Sequence, residues 1–514
     1  MVKTVVDCLF RDVSLTRQAL HSYDDFVSRI VPGVVDGHRP IVVTPQLFSG
    51  GTHTITLKNV TYGIPSVVEK DNNIRKITPM EARVRDFMYS VPMYVDVHHT
   101  YTDTSGTMTS KVKQKIYLAR MPVMVRSSLC IMATADNYKH NECPHDPGGY
   151  FIVNGREKTL VVQERISPNI IFCFGPGACI FHSEQNSTTH RNSTFRITVR
   201  KFGSTPFRAS FAAVSAEIPL LILYRALGGT EDMLHRFIEP TDVIETIGDA
   251  SVATTQETAL QWLGEYMEDV DRFLNEIVYP HIGHDYSMKC LQMCLQWAEY
   301  IRCLKADKGP GDNDYHDRDH VRAKRLDTAG AMLGTLFSHL FLQMLGNVRR
   351  DAQALADKNK TIRPERLIQP QHITDGVKYA LATGNWKIKG SSYAGRVGVS
   401  QMLNRNTYIS CISQLRRVDT GIDSTQKIIA PRLLYGNQWG YLCPSETPEG
   451  GPCGLVKQLA LSAYITTRCE QATIQQHLQP FLSASGAHIV FHNGAPVGFT
   501  QHLHECASAL REAR

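Results

Sequence analysis

Long apolar runs are missing from this 514-residue chain. The longest, such as Leu220 to Tyr224, fall far short of the roughly 20 residues a membrane-spanning helix needs, so no membrane role is expected. Met1 to Phe10 sets Lys3 and Asp7 among its apolar residues and lacks the pattern of a secretory signal. An intracellular protein is therefore expected, with Asn186-Ser187-Thr188 and Asn192-Ser193-Thr194 as chance matches to glycosylation acceptors. None of the 13 cysteines forms a Cys-x-x-Cys pair, the spacing common in structural zinc sites. Cys290 and Cys294 lie four apart near His284, but Leu291, Met293, Leu295 and Trp297 around them read as a half-buried helix. Reduced, mostly buried thiols and no zinc site are expected. Internal repeats and low-complexity segments are absent. Neither charge sign dominates: 55 Lys and Arg against 49 Asp and Glu leave +6. That is too little for a general nucleic-acid coat and enough for a local patch.

What is present is the composition of a folded protein, 42% hydrophobic and 20% charged. The length exceeds one hydrophobic core. Leu15, Leu20, Phe26 and Ile30 recur at helical spacing, and alternation over Ile41–Thr44, Thr54–Leu57, Met93–Val97 and Val112–Val125 reads as strand. Asn154-Gly155 between two apolar runs predicts a β-hairpin, because both residues tolerate positive φ. From Leu220 to Leu304 the pattern is mainly helical, and Leu333, Leu336, Phe337, Leu340, Phe341, Met344 and Leu345 mark one stripe of a long amphipathic helix. The fold class expected is α+β and multidomain, with a helical insertion.

Residues 384–458 hold nine basic against four acidic residues, a net +5 of the chain's +6. These charges stand among Asn, Gln, Ser and Gly, which suits a surface that meets phosphates. Gly390 to Gly395 has P-loop glycine spacing, but Arg396-Val397 follows where Lys and Ser or Thr would be needed, so an independent NTPase is not expected. Asp312 to His320 resembles a metal-ligand cluster without an EF-hand's glycine and distal glutamate, and reads as a loop tied by its own salt bridges. Glu446 and Glu449 flank Pro448 in a segment kept out of regular structure, a shaped loop better suited to orienting another element than to acid–base chemistry. Asn404-Arg405, Gln414 to Arg417 and Pro431-Arg432 place long donors on either side of a flexible Asp419–Gln426 loop. Met402, Leu403, Tyr408, Ile409 and Ile412 predict a helix with this face buried and its arginines outward.

Thr383 to Trp386, Gly398-Val399-Ser400-Gln401-x-Leu403-Asn404-Arg405, Leu415-Arg416-Arg417 and Trp439-Gly440-x-x-Cys443-Pro444-Ser445-Glu446-Thr447-Pro448-Glu449-Gly450 together resemble the fork of the second-largest, β-type subunit of multisubunit DNA-directed RNA polymerases. Further segments match in order. Thr78-Pro79-x-Glu81-Ala82-Arg83 and Asp146 to Gly155 resemble the protrusion. Ile218-Pro219 with Arg225 to Gly228 resembles the start of the lobe, and Asp317 to His320 with Lys324 to Asp327 the return to the protrusion. The type resembled is eukaryotic or large-DNA-virus.

The resemblance implies a mixed α/β protrusion over 1–172 and 327–385, a largely helical lobe over 173–326, the fork over 386–466 and the start of the external domain over 467–514. It implies that Gln401, Asn404, Arg405 and Arg417 contact the RNA–DNA hybrid, with Lys387 and Lys389 in the preceding fork loop, and that Arg432 and Glu449 support the nucleotide-addition site. The reaction implied is template-directed nucleotidyl transfer, with the catalytic Mg²⁺ held by the largest (β′-type) subunit. Implied partners are that subunit, the C-terminal half of the second-largest subunit, further polymerase subunits, the DNA template and the RNA transcript. The place implied is the nucleus, or for a virus the host cell or virion. The alternative is a non-catalytic binding or assembly module derived from the same subunit.

Overall fold

The computed structural model describes residue 4 and residues 14–45, 51–69, 71, 73–133, 141–174, 178–185, 192–199, 207–212, 214–240, 253–267, 269–305, 317–386, 388, 396–467, 471–483 and 486–513. Lys387, Lys389, the Gly390 to Gly395 run and Asp312 to His316 lie outside the described residues. The chain divides into two compact units, Met1–Arg165 with Leu326–Thr467, and Ile166–Arg325 with Arg468–Arg514. Helices and several sheets occur together, as an α+β reading requires.

In the first unit four antiparallel strands, Ile41–Val43, Thr52–Tyr62, Ser90–Thr102 and Met108–Pro122, pair in chain order. The helix expected near the start runs Arg17–Asp25, passes through a π turn at Phe26–Ile30 and continues as Val31–Asp36. The π turn ends just ahead of Val31-Pro32, where the proline ring removes a helical donor and crowds the turn before it. The long helix runs Ala329–Ala356 and buries all seven residues of its expected stripe. Phe337 meets Phe26 edge-on at 6.4 Å, and Phe341 meets His38 at 5.7 Å. Among the described residues it is the one helix long and apolar enough to cross a membrane, and most of that apolar window is buried inside this unit.

The hairpin forms where Asn154-Gly155 predicts it. Val153 faces Arg156 across the turn, and both turn residues have positive φ. Its second strand is shorter than expected, Arg156–Leu160, because the chain then leaves the sheet. Val162–Ile166 begins a new strand that pairs in parallel with Arg417–Asp419. Thr78 starts the helix Pro79–Val84 through a capping box. Its hydroxyl accepts the Glu81 N–H at 3.2 Å, and the Glu81 carboxylate accepts the Thr78 N–H at 3.2 Å. That cap fixes the direction from which Arg83 reaches out.

The second unit contains a five-stranded antiparallel meander, Ile171–Phe174, Ala178–Glu184, Asn192–Val199, Phe207–Phe211 and Val214–Pro219. Its core is aromatic: Phe195 stacks on Phe211 at 4.8 Å and meets Tyr279 edge-on at 5.2 Å. The helix Tyr286–Lys305 buries Cys290 and Cys294 in this core, where burial pushes their thiols up to about 12 and about 11. Thiols held protonated in this way make poor metal ligands. Among the described residues, no three His, Cys, Asp or Glu side chains gather as an ion site.

His281 shares a 2.7 Å hydrogen bond with Ser183 and lies 5.2 Å from the Phe181 ring and 5.9 Å from the Tyr279 ring. Burial pushes its imidazole down to about 4. The folded state thus binds fewer protons than the unfolded chain between pH 6.5 and 4, so stability is full above that window and falls as pH drops through it. The second unit is expected to lose about 3 kcal/mol on acidification to pH 4. His281→Gln should flatten this dependence, as read by urea unfolding at several pH values.

Candidate nucleic-acid interface

Within the basic window the strand Ser400–Met402 pairs with Arg156–Leu160 so that Gln401 faces Thr159. The preceding helix Pro370–Thr383 ends at Gly384 with φ +76°. A side chain there would run into the Ser400 carbonyl oxygen at 2.6 Å, so the sheet edge and helix end approach through a glycine. Thr407 starts the helix Tyr408–Leu415 with a second capping box, its hydroxyl accepting the Ser410 N–H at 3.1 Å. That start sets the helix's phase.

The phase overturns the expected orientation. Cys411, Gln414 and Leu415 face inward, whereas Tyr408 and Ile409 are exposed, Ile409 at 80%. Met402, on the strand, is exposed as well. Gln414, only 6% exposed, accepts the Asn404 N–H on Oε1 at 2.6 Å. Its Nε2 donates to the Met402 carbonyl at 2.8 Å and to Gln401 Oε1 at 3.4 Å. The far end of Gln401 donates to the Gly398 carbonyl at 3.2 Å. Asn404 Oδ1 accepts the Asn406 N–H at 2.8 Å. Sequence reasoning placed Gln414 among the outward donors. Its i, i+3, i+4 relation to Cys411 and Leu415 was the signal that it turns inward.

Two adjacent arginines follow with opposite fates. Arg416 is 3% exposed, a correction to the outward-facing reading, and donates to the carbonyls of Leu15 and Ala460 at 2.6 Å each. Burial, then the neighbouring Arg17 charge, lowers its affinity for its proton. Arg417 begins the strand Arg417–Asp419, which lies between Val162–Ile166 and Val456–Gln458. Its guanidinium makes no hydrogen bond or ion pair among the described residues, and it is half-buried.

Arg405 is committed to the protein. It bonds both oxygens of Glu157 at 2.6 and 3.0 Å and Asp146 Oδ2 at 3.0 Å, and its guanidinium lies 4.9 Å from the Tyr150 ring centre. Arg83, aimed by the Thr78 cap, joins the same cluster. It donates to Glu157 and Glu142 at 2.8 Å each and to the Tyr150 hydroxyl at 2.7 Å. Asp146 also receives the Tyr150 hydroxyl at 2.8 Å and the Gly148 N–H at 2.9 Å. The turn cluster and the Thr78 motif thus meet in one polar knot.

Arg432 is committed in another way. All five of its N–H donors land on main-chain oxygens: Nε on Ile428, Nη1 on Gly451 and Cys453, and Nη2 on Ser424 and Gln426, at 2.5 to 3.2 Å. It has no donor left for a nucleotide. The Asp419–Gln426 segment is pinned by its own aspartates, with the Gly421 N–H on Asp419 and the Thr425 N–H on Asp423, both at 3.0 Å. Glu449 is exposed and has no hydrogen-bond partner among the described residues, whereas Glu446 accepts the Ser413 hydroxyl at 2.5 Å. Lys457 pairs with buried Glu164 at 2.9 Å, and Arg396 donates to Gln163 at 2.8 Å. Among the described basic residues of the window, the side chains left for an external phosphate are Arg417 and Lys427. Gln401 and Asn404 are thus held by Gln414, and an unspent guanidinium follows in sequence at Arg417. Such a set can meet a phosphate backbone with one charge and several hydrogen bonds.

Comparison with known proteins yields two family matches. A family described as RNA polymerase beta subunit matches residues 14–375, and one described as RNA polymerase Rpb2, domain 3 matches residues 401–465. DNA-directed RNA polymerase II subunit RPB2 of Schizosaccharomyces pombe is 30% identical over 99% of this chain and 47% of its own length. DNA-directed RNA polymerase II subunit 2 of Arabidopsis thaliana is 33% identical over 92% of this chain and 44% of its own. DNA-directed RNA polymerase subunit Rpo2N of Methanococcus vannielii is 32% identical over 92% of this chain and 97% of its own. The chain thus spans about half the length of these two eukaryotic relatives and nearly all of this archaeal one. Identity does not separate the eukaryotic from the archaeal kind.

Proposed function

The chain belongs to the RNA polymerase beta-subunit family, as the N-terminal half of the second-largest subunit, and from that premise we propose that its 401–458 region holds the RNA–DNA hybrid during transcription. In this reading the first unit combines protrusion and fork, and the second carries the lobe. Unpaired Arg417, which follows in sequence the Gln414 that supports Gln401 and Asn404, is the observation that carries the proposal. Arg417 supplies the charge. Gln401 and Asn404 supply neutral donors and acceptors whose positions are fixed in advance, which reduces the entropy lost on binding. Arg405 and Arg432 act one step removed. Arg405 ties this region to the hairpin through Glu157, and Arg432 sets the contour of the loop that presents Glu449.

Among the described residues no three His, Cys, Asp or Glu side chains gather to hold a metal ion. No step is routed through one, and the catalytic Mg²⁺ belongs in this reading to the largest subunit. Tyr408, Ile409, Trp439 and Tyr441 are exposed apolar groups on the same region. We assign their cover to the remainder of the second-largest subunit, which the eukaryotic relatives carry in the same chain.

The test is a polymerase reconstituted with this chain. Arg417→Ala is expected to shorten the lifetime of assembled elongation complexes roughly tenfold, and to reduce the slope of log lifetime against log salt by about 1, the signature of one lost phosphate contact. Glu449→Ala is expected to slow nucleotide addition while leaving that lifetime unchanged. Wild-type lifetime, salt slope and speed in both variants would refute the assignment.

A further inference from the structure

We infer that Gln414 is a positioning residue for the hybrid contact, acting through Gln401 and Asn404 without touching nucleic acid itself. The inference rests on the reading of Gln401 and Asn404 given above. A buried primary amide offers two donors and one carbonyl acceptor, and Gln414 uses both ends on this one segment. Oε1 takes the Asn404 N–H at 2.6 Å; Nε2 holds the Met402 carbonyl at 2.8 Å and Gln401 Oε1 at 3.4 Å. Asn404 therefore cannot swing away from the strand end without breaking the shortest of these bonds. Gln401 is held at both ends of its amide, by Gln414 and by the Gly398 carbonyl. Each keeps spare capacity: Gln401 one N–H and one lone pair, Asn404 its whole amide nitrogen. What Gln414 provides is orientation, with the groups that meet the ligand set before it arrives. The helix that carries Gln414 is itself fixed, because Gln458 Nε2 donates to the Ser413 carbonyl at 2.7 Å, and Gln458 pairs in register with Arg417. Gln414 thereby links the two neutral contacts to the strand that bears the charged one.

The experiment compares four reconstituted polymerases by the lifetime of assembled elongation complexes: wild type, Gln414→Met, the Gln401→Ala/Asn404→Ala pair, and all three changes together. Methionine matches the length of glutamine but makes none of the three hydrogen bonds, so Gln414→Met is expected to shorten lifetime roughly tenfold, as the loss of these bonds to one segment would. If Gln414 works only through its two clients, adding Gln414→Met to the Gln401→Ala/Asn404→Ala pair changes nothing further. A triple variant shorter-lived than the pair by the full Gln414→Met factor would overturn the inference while leaving the reading of Gln401 and Asn404 intact. A Gln401→Ala/Asn404→Ala pair with wild-type lifetime would instead overturn that reading, and the inference with it. Should Gln414→Met fail to assemble, Gln414→Glu decides. It keeps the acceptor for the Asn404 N–H and loses the donors to Gln401 and to the Met402 carbonyl, so its defect should shrink in a Gln401→Ala background to the share of the Met402 bond. A defect of undiminished size there counts against the inference.

Discussion

Arg83→Met is expected to destabilise the first unit by about 3–5 kcal/mol, the range for removing one partner from a buried charged network. Its guanidinium, with a side chain 20% exposed, is shared among the Glu157 and Glu142 carboxylates and the Tyr150 hydroxyl. Glu157 would retain Arg405. Glu142, whose side chain is 9% exposed, would lose this cation and face the cost of a nearly buried charge. Solvent screening offers little relief at that depth, which separates this pair from exposed ones such as Arg302 and Glu299. The measurement is urea unfolding of the full chain, followed by a probe in the first unit. A shift below about 1 kcal/mol would place Arg83 among ordinary surface pairs.

Arg416→Met should cost about 2–4 kcal/mol for a different reason. No carboxylate faces Arg416 among the contacts described; its donors satisfy the carbonyls of Leu15, Ala460 and Leu461. Methionine fills similar space, leaves the Leu15 carbonyl without this donor and leaves the Ala460 carbonyl with the Ala463 N–H alone, so the loss comes from the backbone and not from charge. Arg416→Lys should recover only part of it, since one ammonium cannot reproduce the planar fork that reaches Leu15 and Ala460 at once. Amide hydrogen exchange should accelerate at residues around 460 in Arg416→Met and not in Arg417→Ala. Equal protection in the two variants would contradict the carbonyl-holding role.

That contrast also shows where sequence stops being sufficient. The Asn154-Gly155 hairpin and the Leu333–Leu345 stripe were legible because each is a local pattern with one stable solution, a tight turn or a buried helix face. Arg416 and Arg417 are neighbours of one residue type, and which of them is buried depends on carbonyls brought from Leu15 and Ala460 by the fold. The exposed Tyr408 and Ile409 were misread for a related reason: apolarity was taken to mean an interior within this chain. Charge counting marks a candidate window and overstates what it offers, because Arg405 and Lys457 meet carboxylates and Arg396, Arg416 and Arg432 are held by internal oxygens. Family motifs supplied the candidate residues. Only geometry separated groups that hold the protein together from those left to hold something else.

Because Arg432 grips only main-chain oxygens, its hold on segments 424–428 and 451–453 does not depend on which side chains hang from them. Substitutions there, by drift or by an engineer who wants a label, leave the grip of Arg432 in place. The freedom ends at Arg432, where a single substitution would release every strand of the tether together.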